Sequence, residues 1–406
     1  MISTQFGIVW RALARHKLAS GIIVLQVAVG CAVLCNASYL VVEKLRATAI
    51  VTGVEESKLG FIRAEGLDAV QYADVNARIL SGIQEVKGVD TVVGMNTVPF
   101  GMPELVGGVF LDEAQKHFGG VISFYLGAQG APEALGLKLI SGRFPNLDEY
   151  QPVDGSLPAS ASVLITRQLA SHFWPGESPL GKRIWCFDTT VRVVGVVEHL
   201  SVPRPGAGEE KGTDWAVFVP TLPSEDFFGS YLVRTDTLDA VRVMPQVLER
   251  VTTLLPDAVV DSLASKSIQD QRKQFLRAPK VMAALLGAVI LGVMGSTALG
   301  IVGLASFWVT QRRTQIGIRR ALGATQKDIV AYFQIENLII MGTGVLVGSV
   351  LAIALNVLAM HFYEIPRLPF VYIPIGAAVM LILGQLAILK PALDASRVLP
   401  VEAMRA

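Results

Sequence analysis

The densest group of charged side chains lies in residues 311–329, QRRTQIGIRRALGATQKDI. This segment carries five basic residues and one acidic residue between two long apolar runs. Guanidinium groups can pair with the carboxylates of a partner surface, and the isoleucines among them can add apolar contact. The chemistry that the segment predicts is recognition of another protein.

The same segment contains signals for one helix to stop and another to start. Gly323 follows IGIRRAL at the position of a helix C-cap, and Thr325 with Asp328 forms a Thr-x-x-Asp capping pattern. Positive charge beside a membrane helix needs no fixed geometry. Because caps do specify geometry, the pattern favours a rigid docking element over a purely topological signal.

Side chains that could support catalysis or metal binding are scattered. The five histidines lack the spacing of a zinc site, and the three cysteines indicate no disulfide framework. The sequence has no GxSxG or HExxH pattern, and Gly181-Lys182 is followed by Arg183, so no GxxxxGK[ST] phosphate loop is present. We therefore expect no catalytic residue, no metal and no cofactor bound by this chain.

Composition indicates a membrane protein. Hydrophobic residues make up 52% of the 406-residue chain and charged residues 17%, while a net charge of +1 gives no reason to expect nucleic acid as a partner. Four apolar runs are each long enough to cross a bilayer. We assign membrane helices to residues 18–42, 280–309, 331–360 and 371–390. The first run is too long for the core of a cleaved secretory signal, which favours a retained helix.

Basic residues near the four runs predict the orientation. They cluster before the first run, between the second and third, and after the fourth, which makes residues 1–17, 310–330 and 391–406 cytoplasmic. Residues 43–279 and a short loop at 361–370 then lie outside the cytoplasm. Four basic residues at 272–280 conflict with this assignment, but large translocated domains largely escape the charge rule. Residues 1–17 are predicted to form an amphipathic helix that lies on the inner membrane surface or packs on the protein itself.

The large segment between the first two runs reads as an α+β domain. A helix followed by a strand beginning near Val89 recurs in the same order close to residue 260, and the part between, at about 100–228, is rich in Gly and Pro. This order predicts a discontinuous subdomain with an insertion. Flanking segments 43–59 and 262–280 are expected to be helical stalks. The predicted fold is an α-helical membrane protein with four transmembrane helices and a large α+β extracytoplasmic domain between helices 1 and 2.

Small residues recur at four-residue spacing in two of the membrane runs. They are Gly292, Ser296 and Gly300 in the second run, and Gly344, Gly348 and Ala352 in the third. Such positions let helix backbones approach closely in lipid, although small residues are also generally abundant in membrane helices.

Three groups of motifs resemble one known family. QIGIRRALGATQKDIVAYFQIEN resembles the cytoplasmic signature segment of the MacB/FtsX-like family of ABC transporter permeases, and PALDASRVLPVEAMRA resembles that family's closing pattern. LKLISGRFPN, SVLITRQLASHFWPGESPLGKRI and VRVVGVVEH are similar to the extracytoplasmic domain of its macrolide-exporter branch. Together these segments and the order of the four runs cover essentially the whole chain.

The resemblance implies a permease of the bacterial inner membrane, with both termini cytoplasmic, that transmits motion from a separate cytoplasmic ATPase holding the ATP and Mg²⁺. In this interpretation Ile316 and Ile318 are buried against the ATPase and Arg319 and Arg320 pair with its acids. Glu336 either meets Arg319 or Arg320 or extends to the inner interface. The full set of residues expected to couple to the ATPase is Ile316, Gly317, Ile318, Arg319, Arg320, Ala321, Leu322 and Gly323.

Several assemblies are compatible with the resemblance. A second permease is expected, either an identical copy or a homologue, and Gln311 and Gln315 at positions where the family usually has Glu keep a mixed complex open. Export through a periplasmic adaptor and an outer-membrane channel is the leading hypothesis. Lipoprotein release or control of cell-wall hydrolases by the same mechanism is the close alternative. The alternative from another functional class is a membrane-anchored sensor or scaffold that works without ATP coupling. Under every hypothesis the chain is in contact with membrane lipid.

Overall fold

The computed structural model describes residues 17–46, 49–67, 69–187, 189–206, 212–236, 239–256, 258–363 and 367–397. It divides the chain into two compact units, one formed by residues 47–278 and the other by residues 1–46 and 279–406. We call them the α+β domain and the helical bundle. Residues 1–16 of the amphipathic helix predicted at 1–17, and residues 398–406 of the closing segment at 391–406, lie outside the described residues.

The described residues form nine α-helices and thirteen strands. The helices are α1 (Lys17–Arg46), α2 (Tyr72–Gln84), α3 (Ala131–Leu135), α4 (Arg167–Phe173), α5 (Ala240–Leu254), α6 (Ile268–Gln311), α7 (Arg313–Ala321), α8 (Gln326–Tyr363) and α9 (Tyr372–Ser396). The strands are β1 (Leu59–Glu65), β2 (Val89–Gly94), β3 (Val106–Phe110), β4 (Phe118–Gly127), β5 (Leu139–Gly142), β6 (Gln151–Pro152), β7 (Ser160–Thr166), β8 (Arg183–Cys186), β9 (Thr189–Val197), β10 (Ala216–Leu222), β11 (Ser230–Thr235), β12 (Val259–Val260) and β13 (Lys266–Ser267).

Among the described residues, four helices are long and apolar enough to cross a membrane, namely α1, α6, α8 and α9. A helix satisfies all its backbone hydrogen bonds internally, which is what a segment in lipid requires. The core of the helical bundle is formed mainly by α1, α8 and α9, with Val27, Cys31 and Met341 fully buried in it. Helix α6 is longer than the predicted run because it begins at Ile268 and continues through Pro279.

The α+β domain contains two sheets. The smaller sheet has the order β12-β1-β11-β2 with β13 also paired to β1, and the larger one has the order β4-β3-β8-β9-β7-β10-β6 with β5 paired to β9. Every strand of the larger sheet lies between residues 106 and 222, inside the segment assigned to an insertion. The smaller sheet is built from the chain on both sides of that segment.

Alternation along the strands of the smaller sheet sends side chains to two different cores. In β1, Phe61 belongs to the core shared with the larger sheet, whereas the next residue, Ile62, packs among residues of α2 and α5. In β11, Leu232 likewise belongs to the core shared with the larger sheet, and Val233 packs among residues of α2 and α5. Because successive strand residues point to opposite faces, the smaller sheet is covered on both sides and joins the two halves of the domain.

The first of the two predicted stalk helices is not formed. Helix α1 ends at Arg46, and residues 49–55 have no helix before a short 3-10 turn at Glu56–Lys58. The backbone of this segment pairs with another part of the domain, since the Ser201 amide donates to the Thr52 carbonyl at 3.0 Å. The second stalk prediction falls on the start of α6, where Arg272 binds Glu56 at 2.6 Å.

An ion pair at the surface of the larger sheet predicts a pH dependence. The Arg143 guanidinium donates to both Glu149 oxygens at 2.6 and 2.7 Å, and the Asn146 amide donates to Glu149 at 2.7 Å. These bonds, chiefly the one from Arg143, lower the pKa of Glu149 from 4.5 to about 2. A depressed carboxyl pKa stabilises the folded state above pH 4.5, and that contribution is lost as the pH falls through about 2.

We therefore expect Glu149→Gln to lower the melting temperature of the detergent-solubilised protein by about 2 to 4 °C at pH 7, equivalent to about 1 kcal/mol. The difference from wild type should shrink steadily in melts recorded from pH 4.5 down to pH 2.5. Glu85→Gln serves as the control, since Glu85 is 67% exposed in its pair with Arg250 and should matter less. A difference for Glu149→Gln that stays constant over this range would contradict the assignment.

Candidate functional site

The segment between α6 and α8 has the stop and restart that its sequence predicts. Gly323 has a φ of +97°, and its amide donates to the Arg320 carbonyl at 3.1 Å while the Ala324 amide donates to that of Arg319 at 3.1 Å. This pair of bonds is a Schellman motif, which ends a helix in a defined direction. Glycine adopts this backbone conformation without steric penalty.

The next helix starts with a reciprocal cap. The Asp328 amide donates to the Thr325 hydroxyl at 3.3 Å, and the Thr325 amide donates to the Asp328 carboxylate at 2.9 Å. Two amide groups that the helix itself leaves unpaired are satisfied in this way. The turn between α7 and α8 is therefore fixed by local hydrogen bonds at both ends.

The two isoleucines of α7 do not share a face. Ile316 is 5% exposed and packs in the core of the bundle, and Gly317 beside it is also buried, whereas Ile318 is 49% exposed. Residues two apart on a helix point in widely different directions. The expectation that both isoleucines contact a partner is therefore corrected, since Ile316 is already used inside the bundle.

An exposed apolar pair takes the place of the predicted one. Leu322, just after α7, is 84% exposed, and it lies four residues after Ile318, at the spacing of neighbours on one helix face. Ala321 is exposed beside them. We call Ile318, Ala321 and Leu322 the α7 tip.

Glu336 pairs with Arg312, not with Arg319 or Arg320. One guanidinium nitrogen of Arg312 lies 3.0 Å from each Glu336 oxygen, and the side chains are only 14% and 2% exposed. The guanidinium also lies 5.8 Å from the ring centre of Trp308. Arg312 sits between α6 and α7, so the pair joins this junction to α8.

The two arginines expected to face a partner have contacts within the chain. Arg319 lies over the Tyr332 ring, 4.6 Å from its centre, and Arg320 donates to the Ser396 carbonyl of α9. Arg319 remains exposed, whereas Arg320 is half-buried. Both side chains therefore help to hold α7 against the bundle.

The small residues of the third membrane run lie at a close helix contact. A Cβ atom on Gly344 would lie 2.7 Å from the Val27 side chain, and one on Gly348 would lie 2.7 Å from the Ala28 carbonyl. Both neighbours belong to α1. Only residues with little or no side chain permit this approach of α8 to α1.

The small residues of the second run differ in whether another helix packs against them. The Gln26 side chain of α1 lies against Gly300 and donates to the Ser296 carbonyl at 3.0 Å. At Gly292, by contrast, no atom of the described residues would come within 4 Å of an added Cβ. The close contact predicted for this position is therefore not made within the described chain.

Sequence reasoning missed three polar residues that organise the bundle. Gln26 joins α1 to α6, Asn36 donates to the Ala352 carbonyl of α8 at 3.1 Å, and Asn337 donates to the Gly384 carbonyl of α9 at 2.9 Å. An uncharged polar side chain within an apolar run was the signal that could have identified them, because such a group needs a partner in lipid.

Comparison with known proteins identifies two family regions. A model described as the MacB-like periplasmic core domain matches residues 20–270, and one described as the FtsX-like permease C-terminal region matches residues 287–400. The "Macrolide export ATP-binding/permease protein MacB" of Bdellovibrio bacteriovorus is 24% identical over 98% of this chain and 60% of that relative. Its counterpart in Hahella chejuensis is 23% identical over 99% and 60%.

Other matches are more limited. The "Uncharacterized ABC transporter permease YknZ" of Bacillus subtilis is 21% identical over 66% of each chain. The crystal structure of the periplasmic region of MacB from Actinobacillus actinomycetemcomitans aligns with 55% of this chain and 94% of that one, at 14% identity and a TM-score of 0.35. The chain spans about half the length, 34 to 60%, of the first MacB relatives it matches.

The two family models together cover the membrane helices, the α+β domain and the segment around α7. The chain is a multi-pass inner-membrane protein, and it belongs to the MacB/FtsX-like family of ABC transporter permeases.

Proposed function

We propose that this chain is the permease subunit of an ABC transporter and passes the motion of a separate cytoplasmic ATPase to its α+β domain outside the cytoplasm. The observation that carries the proposal is the α7 tip, a set of exposed apolar side chains at the end of a short helix that is capped there and anchored at its start by a buried ion pair. The ATPase holds ATP and Mg²⁺, and this chain binds neither.

Apolar burial supplies the affinity in this proposal. Covering the exposed parts of Ile318 and Leu322 would stabilise the complex by about 1.5 to 3 kcal/mol for each fully buried side chain. An exposed ion pair from Arg319 would add only about 0.2 to 1 kcal/mol. The arginines therefore orient α7, and the α7 tip binds the ATPase.

The proposed transmission uses the connections of α7. The Arg312–Glu336 pair joins the α6–α7 junction to α8, so a push on α7 acts on both long helices. Helix α6 is continuous from Gln311 back to Ile268, whose first turns belong to the α+β domain. A displacement of α7 therefore has an unbroken helix along which to reach that domain.

The proposed assembly contains a second permease, identical or homologous, and the uncovered Gly292 position of α6 is where its helix would pack. The cargo we propose is a drug, peptide or other small molecule, exported with the help of a periplasmic adaptor and an outer-membrane channel. Support for export comes from the MacB relatives, whose name describes macrolide export.

The α7 tip can be tested by charge substitution. We expect Ile318→Asp and Leu322→Asp each to weaken co-purification of an ABC ATPase, identified by its phosphate-loop peptide in mass spectrometry, by tenfold or more, because a carboxylate there would be desolvated on binding. The melting temperature of both variants should stay within about 2 °C of wild type, since surface changes have small effects.

Two controls complete this test. Gln326→Asp introduces the same charge at an exposed position outside the α7 tip and should leave ATPase association unchanged. Ile316→Asp should lower the melting temperature sharply, because it places a carboxylate in the bundle core. Normal ATPase recovery with both tip variants would refute the docking assignment.

The buried ion pair gives a second prediction. Glu336→Gln leaves Arg312 buried without a counter-charge and should destabilise the bundle by about 3 to 5 kcal/mol in thermal or denaturant unfolding. The double variant Arg312→Met, Glu336→Met removes both charges and should recover most of that loss. If the double variant is as unstable as the single one, the destabilisation arises from packing and the anchoring role is wrong.

A further inference from the structure

A cleft of about 620 Å³ opens within the α+β domain where its two sheets meet. One wall comes from the end of β1, a second from the loop that leads from β2 to β3, and a third from the hairpin before β11. Ligand sites favour such junctions between subdomains, and this volume lies in the range that holds a small organic molecule.

The cleft has an apolar floor. Leu126, Val153 and Phe227 line it with side chains that are 7%, 9% and 6% exposed, and Phe228 beside them is half-buried. Three of these four side chains are nearly buried, so a ligand with an apolar or aromatic body would contact mainly Phe228 and the exposed edges of the others.

Negative charge exceeds positive charge around this floor. Arg63 is the one basic residue in the lining, and it pairs with Glu65 at 3.0 Å and with Glu104. Asp226 is exposed and forms no ion pair with any residue that the structure describes. Three carboxylates against one guanidinium leave the cleft with a formal charge of −2.

The environment of Glu104 favours a positive group placed nearby. Burial raises the pKa of this carboxyl, and the Arg63 charge opposes that rise only in part. A positive group placed in the cleft would favour the ionised form of Glu104 and would gain from its low-dielectric surroundings.

A metal ion does not suit the arrangement. Within the described part of the chain, no three acidic, histidine or cysteine side chains converge as a metal site requires. Glu65 and Glu104 both pair with Arg63, whereas Asp226 lies on the hairpin before β11. An organic molecule that carries its positive charge on an extended framework suits this arrangement.

We propose that the cleft binds an organic cation, a protonated amine or similar group carried on an apolar or aromatic body. The floor contacts the body of this ligand, while Glu65, Glu104 and Asp226 receive its charge. Side chains from both sheets line the cleft, so a bound ligand would contact the two halves of the α+β domain.

The loop along one wall also contacts α6. Phe100 in this loop has a φ of +67°, a strained conformation for a bulky residue, and its ring lies 5.5 Å from that of Phe275 in α6. Arg272 of α6 lies over the same ring at 5.4 Å. A ligand that moves this loop would therefore act on the first turns of α6. The value of that effect for transport rests on the proposed function, whereas binding of the ligand in the cleft does not.

The test uses the full-length protein in detergent, without nucleotide or ATPase, and follows the fluorescence anisotropy of two related dyes. Rhodamine 6G is permanently cationic, and rhodamine B has the same ring system with a free carboxylate. We expect saturable binding of rhodamine 6G and at least fivefold weaker binding of rhodamine B.

Matched variants locate the binding site. The double variant Glu65→Gln, Asp226→Asn should weaken rhodamine 6G binding by about fivefold, because it removes two exposed carboxylates that attract the dye. Asp74→Asn, an exposed acid on α2 outside the cleft, should leave it unchanged. Melting temperatures close to wild type would show that the double variant is folded.

Three results would each overturn the proposal: no saturable binding of rhodamine 6G by the wild type, equal affinity for the two dyes, or a double variant that binds as tightly as Asp74→Asn. Because the assay contains no ATPase, a failure of ATPase docking at the α7 tip would leave its outcome unaffected. The two proposals can therefore fail separately.

Discussion

The arrangement of the bundle's α7 end depends on one buried ion pair. Arg312 and Glu336 lie between long apolar segments, where a charged side chain without a partner is costly. Each therefore requires the other, and the geometry that satisfies both leaves little freedom at the α6–α7 junction. With Arg320 bound to α9 and Arg319 stacked on Tyr332, the short helix α7 is held on several sides.

A rigid mount changes what the exposed residues can do. If α7 moved freely, contact at Ile318 and Leu322 would reorient it without shifting α6 or α8. Because its end is capped through Gly323 and its start is tied to Glu336, the same contact would displace the helices to which α7 is joined. In the proposed function, the α7 tip binds the ATPase and the buried charges transmit the motion.

Local signals in the sequence were sufficient to predict some of these features. The Schellman motif at Gly323 and the Thr325–Asp328 cap involve residues close in sequence, so their pattern predicts their geometry. The helix and strand beginning near Val89 were found for the same reason, since periodicity is local. The predicted stalk at 43–59 was wrong because Thr52 pairs with Ser201, far along the chain.

Tertiary packing decided what the sequence left open in the candidate site. Nothing in IGIRRAL indicates which isoleucine turns inward, because that depends on how α7 lies on α8 and α9. The partner of Glu336 is 24 residues away, and three arginines lie within similar reach along the chain. The cleft of the α+β domain joins residues as far apart as Arg63 and Asp226, so no short motif could predict it.

The central claim is that the α7 tip faces the cytoplasm and meets an ATPase there. The most direct measurement is the rate at which a membrane-impermeant maleimide labels Leu322→Cys, with Leu147→Cys of the α+β domain as the opposite marker, since both positions are exposed and the native cysteines are buried. We predict rapid labelling of Leu322→Cys only in inside-out vesicles, slowed when the ATPase is bound. Labelling of this position in intact spheroplasts would contradict the account.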